Sequence, residues 1–201
     1  MSQSDKVISM IEYYGPLKCS RPAALQLYED TGKYIIEPKF DGMFCIIEVD
    51  AHGVPDFFTR GHHRISRTFT SPLSELKFPF LLRNSTLLGE LEALRHWSIE
   101  RNKKRGFSLI DLYDIFRLSN KDLRDVRHAV RYDILYRIFP DIKSKHASLV
   151  EQSDSHFVEF FERYKKLGYE GCVLKEKNAN ALECKKDGHT TTQIKVKEFG
   201  T

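Results

Sequence analysis

Two apolar, β-rich runs flank a short polar centre in residues 33–50, KYIIEPKFDGMFCIIEVD. Each run is long enough for one strand, and the Pro-Lys-Phe-Asp-Gly centre has the composition of a loop. The sequence therefore predicts strand, loop and strand, with Lys39 in the loop and a turn at AHGVPD. Further β-branched and aromatic segments make the first part of the chain strand-rich: DFFTR at 56–60, STLLGELEALR at 85–95 and GFSLIDLYDIF at 106–116.

Helical periodicity begins only after these segments. Apolar residues recur at steps of three and four between positions 123 and 138, behind a Ser119-x-x-Asp122 capping box. This pattern predicts one amphipathic helix that ends near Pro140.

A second helix is predicted over residues 155–167, with an aromatic stripe in the core and Gly168 as its C-terminal cap. Strands return at YEGCVLKEK (169–177) and TTQIKVKEF (191–199), and any linker would lie in the polar stretch 141–154. Strands interrupted by helices, without regular βαβ alternation, indicate an α+β fold with mainly antiparallel sheets.

The net charge is +4, from 32 Lys and Arg against 28 Asp and Glu, which suits a polyanionic partner without requiring one. Cys19, Cys45, Cys172 and Cys184 form no Cys-x-x-Cys pair, so neither a disulfide framework nor a zinc knuckle is indicated. We therefore expect a reducing intracellular compartment, the cytoplasm. No signal peptide is evident, and no stretch approaches the roughly eighteen apolar residues of a membrane span, so no membrane partner is expected.

Lys39 lies beside an acid and a glycine, an arrangement suited to a positioned amine nucleophile. A lysine attacks only when neutral, so its pKa, about 10.4 in a free residue, must be lowered by nearby cations or by burial. On its own, however, Lys-x-Asp-Gly is more typical of a solvated lysine in a turn.

Lys195 and Lys197 are separated by one residue in the last predicted strand. Side chains alternate along a strand, so both lysines are expected on one face, in a shared phosphate pocket. Such a pair would stabilise charge developing on an α-phosphate and would help to deprotonate a nearby amine. The alternative is an exposed edge strand blunted with lysines.

Several short motifs follow Lys39 in order: Leu88-Gly89-Glu90-Leu91, Leu112-Tyr113-Asp114-Ile115, Glu170-Gly171-Cys172-Val173-Leu174-Lys175 and Lys195-Val196-Lys197. This series resembles the ordered motifs of the covalent nucleotidyltransferase superfamily, which comprises ATP-dependent DNA ligases, RNA ligases and mRNA capping enzymes. It is most similar to the adenylation (nucleotidyltransferase) domain of ATP-dependent DNA ligases. The resemblance implies antiparallel sheets flanked by helices around a nucleotide cleft, an ATP-grasp-like α+β fold.

The resemblance also implies a role for each matched residue. Lys39 resembles the lysine that attacks the α-phosphate of ATP, releases pyrophosphate and carries AMP covalently. Asp41 resembles the acid near the 3′-hydroxyl end of a nick, and Gly42 would let the backbone approach the nucleotide. The remaining matches are Glu37 with adenine, Glu90 with ribose, Tyr113 with the purine face, Glu170 with a divalent metal, and Arg60, Lys175, Lys195 and Lys197 with phosphates.

The implied cofactors are ATP and Mg²⁺ or Mn²⁺, and the implied partner is nicked double-stranded DNA, bound by a monomer. AMP would pass to a 5′-phosphate, and a 3′-hydroxyl would then seal the strand, as in DNA replication, repair and recombination. We expect residues 1–201 to be a single adenylation domain without the C-terminal OB-fold domain of full-length ligases.

Three positions depart from the family pattern. Phe44 stands where DNA ligases commonly carry arginine, which favours an RNA ligase unless Arg60 supplies the lost contact. Leu88 replaces a residue that is often aspartate, and Gln193 replaces one that is often aromatic. Neither position is assigned direct chemistry. The sequence is also compatible with a capping guanylyltransferase and with a catalytically degenerate nucleic-acid-binding module.

The remaining polar residues are expected to be structural. Asp114 is expected to pair with a lysine such as Lys175. The histidines lack the spacing of a metal site, so we expect them on the surface or hydrogen-bonded locally: His62, His63, His128, His146, His156 and His189.

Overall fold

A computed structural model of the chain describes residues 15–92, 107–182 and 189–198. The strands are β1 (Gly15–Ser20), β2 (Tyr34–Lys39), β3 (Met43–Val49), β4 (Pro55–Phe58), β5 (Ser85–Glu92), β6 (Leu109–Leu118), β7 (Lys121–Asp122), β8 (Ala147–Leu149), β9 (Gly171–Glu176) and β10 (His189–Val196). The α-helices are α1 (Leu25–Asp30), α2 (Arg67–Thr70), α3 (His128–Ile138) and α4 (Phe157–Lys166). Short 3-10 helices span Pro22–Ala24, Ser71–Leu73, Phe80–Leu82 and Phe139–Asp141. Within the described ranges, no helix is long and apolar enough to span a membrane.

The smaller sheet has four strands in the order β1-β10-β9-β2. β1 runs parallel to β10, and the other neighbours are antiparallel. α4 covers one face of this sheet with an aromatic stripe of Phe157, Phe160, Phe161 and Tyr164. The second predicted helix and its buried stripe are thus confirmed, and Gly168 follows the helix with a φ of 90°, the left-handed conformation that ends many helices.

The larger sheet has the order β4-β3-β5-β6-β7, with β8 paired in parallel to β6. All other pairs in it are antiparallel. Leu135 and Ile138 of α3 belong to the same apolar cluster as Leu112 and Ile115 of β6, so the helix packs against β6. These two sheets confirm the predicted α+β class with mainly antiparallel pairing.

Residues 40–42 carry the chain from β2 in the smaller sheet to β3 in the larger one. The predicted strand, loop and strand are confirmed, but Lys39 is the last residue of β2 and not part of the loop. The two strands belong to different sheets and do not form a hairpin. A Cβ on Gly42 would come within 2.7 Å of the Leu91 carbonyl oxygen and of the Glu90 side chain. Glycine is therefore required here for a close approach to β5.

The predicted capping box is wrong. Ser119 and Asn120 have φ values of 46° and 72° and form the turn of the β6–β7 hairpin, so α3 begins only at His128. The pairing of β6 with β7 takes up these residues, and this tertiary arrangement overrides the local capping pattern. The stretch 141–154 is also folded and is not a linker, because β8 lies within it and Ile36 pairs with Ser153.

Candidate nucleotide site

A cavity of about 470 Å³ lies between the two sheets, at the crossover that follows Lys39. This volume is within the range of roughly 300–1,000 Å³ that small-molecule sites occupy. The smaller sheet lines it with Glu37, Lys39, Val173, Lys175, Gln193 and Lys195. The opposite wall contains Met43, Phe44, Thr59, Arg60, Glu90 and Tyr113.

Strand alternation explains the contribution of the smaller sheet. Glu37 pairs with Val173, and Val173 pairs with Lys195, so these three side chains share one face. Two residues further along, Lys175 and Gln193 pair on that same face. The face predicted for Lys195 is therefore confirmed, and the edge-strand alternative is wrong because β10 has β1 and β9 on its two sides. Lys197 follows the end of β10 and does not line the cavity with Lys195; it binds Glu170 instead.

The amine of Lys39 is ion-paired with Glu170, which also accepts a hydrogen bond of 3.2 Å from Nζ of Lys197. Burial tends to raise the pKa of Glu170, but the hydrogen bonds and charges of the two lysines outweigh burial and hold that pKa below its usual range. An ammonium group bound to a carboxylate has no free electron pair. Lys39 must therefore lose a proton before it can act as a nucleophile.

Asp41 lies in the electrostatic field of the same pair. Burial, followed by the negative charge of Glu170, raises the pKa of Asp41, and the charge of Lys39 opposes the increase. Mg²⁺ usually takes one or two carboxylates together with water and substrate phosphates. Within the described ranges no group of three or more His, Cys, Asp or Glu residues forms a metal cluster, and Glu170 is paired with Lys39 and Lys197.

Glu90 contributes a half-buried carboxyl group from β5. Burial raises the pKa of this carboxyl to about 7, and the negative charge of Asp111 adds to the increase. Lys39, Arg60 and the backbone N–H of Gly42 oppose it. The group therefore titrates near neutral pH, and a ligand hydroxyl would meet both an acceptor and a donor form of it.

We expect Glu90→Gln to stabilise the fold at about pH 8. A glutamate in the unfolded chain titrates near pH 4.3, so between about pH 4 and 7 the folded protein keeps the proton and the free energy of unfolding falls as pH rises. A neutral amide removes this penalty and should raise the free energy of unfolding by roughly 1–3 kcal/mol at pH 8, and much less at pH 4. Urea denaturation at both pH values measures the difference, and an equal change at both would exclude the Glu90 charge as its cause.

Glu37 and Lys175 form a buried ion pair, with 2.6 Å between Oε1 and Nζ. The same ammonium lies 4.3 Å from the centroid of the Tyr113 ring, a cation–π contact that stabilises its charge. Lys175 therefore contacts Glu37 and Tyr113, the two residues expected to bind the adenine base. The family resemblance had grouped it with the phosphate-binding residues.

Arg60 and Phe44 lie together in the opposite wall of the cavity. The guanidinium carbon of Arg60 is 5.4 Å from the centroid of the Phe44 ring. An arginine side chain thus occupies the position beside Phe44, as required if Arg60 replaces the arginine that family members carry there.

Asp114 does not pair with Lys175, so that expectation is wrong. It accepts hydrogen bonds of 2.8 Å from both Nε and Nη2 of Arg131, and it lies 3.3 Å from Nδ1 of His128. Both partners come from α3, which packs against β6, and sequence spacing does not reveal this packing. His128 fits the expectation of a locally hydrogen-bonded histidine.

Two polar residues at the site were missed by sequence reasoning. Gln152 donates a hydrogen bond of 3.0 Å from Nε2 to Oε2 of Glu37, and no pattern in a single sequence marks it. Gln193 lines the cavity, and its Oε1 is buried without a hydrogen-bond partner in the described part of the chain. Strand alternation from Lys195 would have placed Gln193 there.

No protein-family model and no curated protein sequence matches this chain. Solved structures do match: mycobacterial DNA ligase D complexed with ATP and MES has a TM-score of 0.67 at 17% identity, over 93% of this chain and 61% of that one. A Lig E DNA ligase has a TM-score of 0.62 at 18% identity, over 95% of this chain and 70% of that one. Chlorella virus DNA ligase-adenylate has a TM-score of 0.60 at 14% identity, over 94% of this chain and 70% of that one. The chain therefore shares its fold with the nucleotidyltransferase domain of ATP-dependent DNA ligases, and it spans 61% of ligase D and 60% of the ligase domain of M. tuberculosis LigD.

Proposed function

We propose that this chain is the catalytic core of an ATP-dependent polynucleotide ligase that acts on DNA and is adenylylated on Lys39. The position of the Lys39 amine carries the proposal, because it lies in a nucleotide-sized cavity beside Glu170 and Lys197. A lysine nucleophile, a carboxylate and a second cation are the groups that phosphoryl transfer to nitrogen needs.

The proposed reaction has three steps. The neutral amine of Lys39 attacks the α-phosphorus of ATP, a nitrogen–phosphorus bond forms, and pyrophosphate leaves. A 5′-phosphate oxygen of the nicked strand then attacks this phosphorus, and AMP moves from the lysine to the 5′ end. Finally, the 3′-hydroxyl attacks the 5′-phosphorus, the phosphodiester bond forms and AMP is released. Mg²⁺ or Mn²⁺ would neutralise phosphate charge during these transfers.

The residues around the cavity divide into a phosphate end and a base end. Lys39, Glu170 and Lys197 meet at one end, where we assign the α-phosphate and the metal. Glu37 and Tyr113 meet through Lys175 at the other, where we assign adenine. Ribose is assigned to Glu90 and phosphates to Arg60 and Lys195, all of which line the cavity, and the 3′-hydroxyl end to Asp41, which does not line it. Lys175 is assigned to the base end, as the partner of Glu37 and Tyr113.

Phe44 is the observation that favours a second candidate, an RNA ligase, because it removes the arginine common in DNA ligases. The location of Arg60 over Phe44 favours the DNA assignment, since a guanidinium is restored to that wall. The two candidates share the first step and differ only in the strand that is sealed.

Two measurements test the proposal. Intact mass spectrometry after incubation with ATP and Mg²⁺ should show one added AMP, mapped to Lys39 by peptide sequencing, whereas an adduct formed only from GTP would indicate a capping enzyme. Sealing of nicked DNA, nicked RNA and hybrid duplexes then separates DNA ligase from RNA ligase. A protein that binds nucleic acid but forms no adduct with any nucleotide would be a degenerate binding module.

Tyr113→Ala should weaken ATP binding by roughly 1–3 kcal/mol if the ring stacks on the purine. Tyr113→Phe keeps the ring face and its contact with the Lys175 ammonium, so it should retain most of the affinity. Isothermal titration with ATP compares the two variants, and equal losses in both would show that the hydroxyl is the important group.

A further inference from the structure

A continuous row of polar side chains runs from the base end of the cavity to α3. Oε2 of Glu37 accepts a hydrogen bond of 3.0 Å from Nε2 of Gln152. The same nitrogen lies 3.4 Å from Nε2 of His128. Nδ1 of His128 lies 3.3 Å from Asp114, which is held by Arg131 through two bonds of 2.8 Å. Glu37, His128, Asp114 and Arg131 are all buried.

The hydrogen atoms in this row can be assigned from its two ends. An ionised carboxylate only accepts hydrogen bonds, so we assign the hydrogen of the neutral His128 ring to Nδ1, which lies 3.3 Å from Asp114 and 3.4 Å from Nη2 of Arg131. Nε2 of His128 is then an acceptor, and it receives one amide hydrogen of Gln152. The other amide hydrogen of Gln152 points to Glu37. A rotated amide would place its oxygen against two acceptors, so His128 fixes the orientation of Gln152.

We propose that Gln152, oriented by His128, is a positioning residue that makes Glu37 select a purine carrying an exocyclic 6-amino group. The inference rests on the proposed function, because it takes the cavity to be the ATP site. Gln152 contacts Glu37 and is not itself among the residues that line the cavity.

The reason lies in how the Glu37 carboxylate is held. Lys175 binds Oε1 and neutralises the charge, but an ammonium is a rotatable point donor and does not fix the plane of a carboxylate. Gln152 binds the other oxygen, so the two donors together fix both oxygens. An ionised carboxylate only accepts hydrogen bonds, so it suits the amino group of adenine and repels the 6-carbonyl oxygen of guanine.

Gln152→Leu tests this directly, because leucine has a similar volume and no donor. We expect ATP affinity to fall about tenfold and GTP affinity to stay nearly constant, so the ATP-to-GTP affinity ratio falls about tenfold. Gln152→Asn, which keeps the amide but is one carbon shorter, should also lower the ratio. Gln26→Leu is the matched control, since that glutamine bonds Asp30 on the exposed surface of α1.

Isothermal titration with ATP and GTP, thermal melting and intact mass after ATP incubation are measured on the same samples. If Gln152 has only a structural role, its replacement weakens the binding of ATP and GTP equally. An unchanged ATP-to-GTP affinity ratio would therefore overturn the inference. A changed ratio in a protein that forms no lysyl-AMP supports the inference and refutes the proposed function. A wild-type protein that binds neither nucleotide refutes both. If Gln152→Leu does not melt cooperatively, Gln152→Asn decides by the same ratio.

Discussion

Lys39→Ala is expected to abolish the covalent AMP adduct completely, while the fold and its stability change little. Lys39 lines the cavity and supplies the amine that would attack the α-phosphorus, and alanine cannot form the nitrogen–phosphorus bond. Stability should be nearly constant because Glu170 keeps its 3.2 Å contact with Lys197 and is partly exposed, so no charge is left buried without a partner. Intact mass spectrometry and urea denaturation of the same preparation measure both quantities.

Lys39→Arg is the control for charge. A guanidinium can keep the ion pair with Glu170, but it stays protonated at any workable pH and cannot attack phosphorus. We expect no adduct from this variant either, although its nucleotide affinity should exceed that of Lys39→Ala. An AMP adduct that persists on either protein would place the nucleophile elsewhere and remove the basis of the proposed function.

The floor of the cavity was predictable because strand alternation is a local property. Once Lys195 was assigned to a strand, its side chain had to face away from Ile194 and Val196, and both of those are buried against α4. The aromatic stripe of α4 was predictable for the same reason, since a period of three to four residues defines one face of a helix.

The partners of the buried polar groups were not predictable. Asp114 is bound by Arg131 from α3, and Glu37 by Gln152, 115 residues further along the chain. These contacts depend on how α3 and the segment after β8 pack on the two sheets, which no spacing in a single sequence encodes. The capping box failed similarly, because Ser119 follows a local rule that the β6–β7 hairpin overrides.

Arg131→Met should lower the free energy of unfolding by about 3–5 kcal/mol at neutral pH, because it leaves the Asp114 carboxylate buried without its cation. The side chains of Arg131 and Asp114 are only 4% and 7% exposed. Burial alone would raise the pKa of Asp114, but the charge and hydrogen bonds of Arg131, followed by those of His128, outweigh it and hold the pKa well below its usual range. This stabilisation is therefore present above the pKa of an unfolded aspartate, about 3.9, and is lost as the pH falls towards the lower folded value.

A double variant separates the pair from its surroundings. In Asp114→Leu combined with Arg131→Met, no unpaired charge is left, so most of the loss caused by Arg131→Met alone should be recovered. Arg137→Met is the matched control: its guanidinium is 74% exposed and pairs with Asp133 on the surface of α3, so its loss should cost at most about 0.5 kcal/mol. Urea denaturation of the four proteins measures these differences. If Arg131→Met and Arg137→Met cost the same, the Asp114 pair does not stabilise the packing of α3 on β6, and the polar row that ends at Glu37 would lack its fixed end.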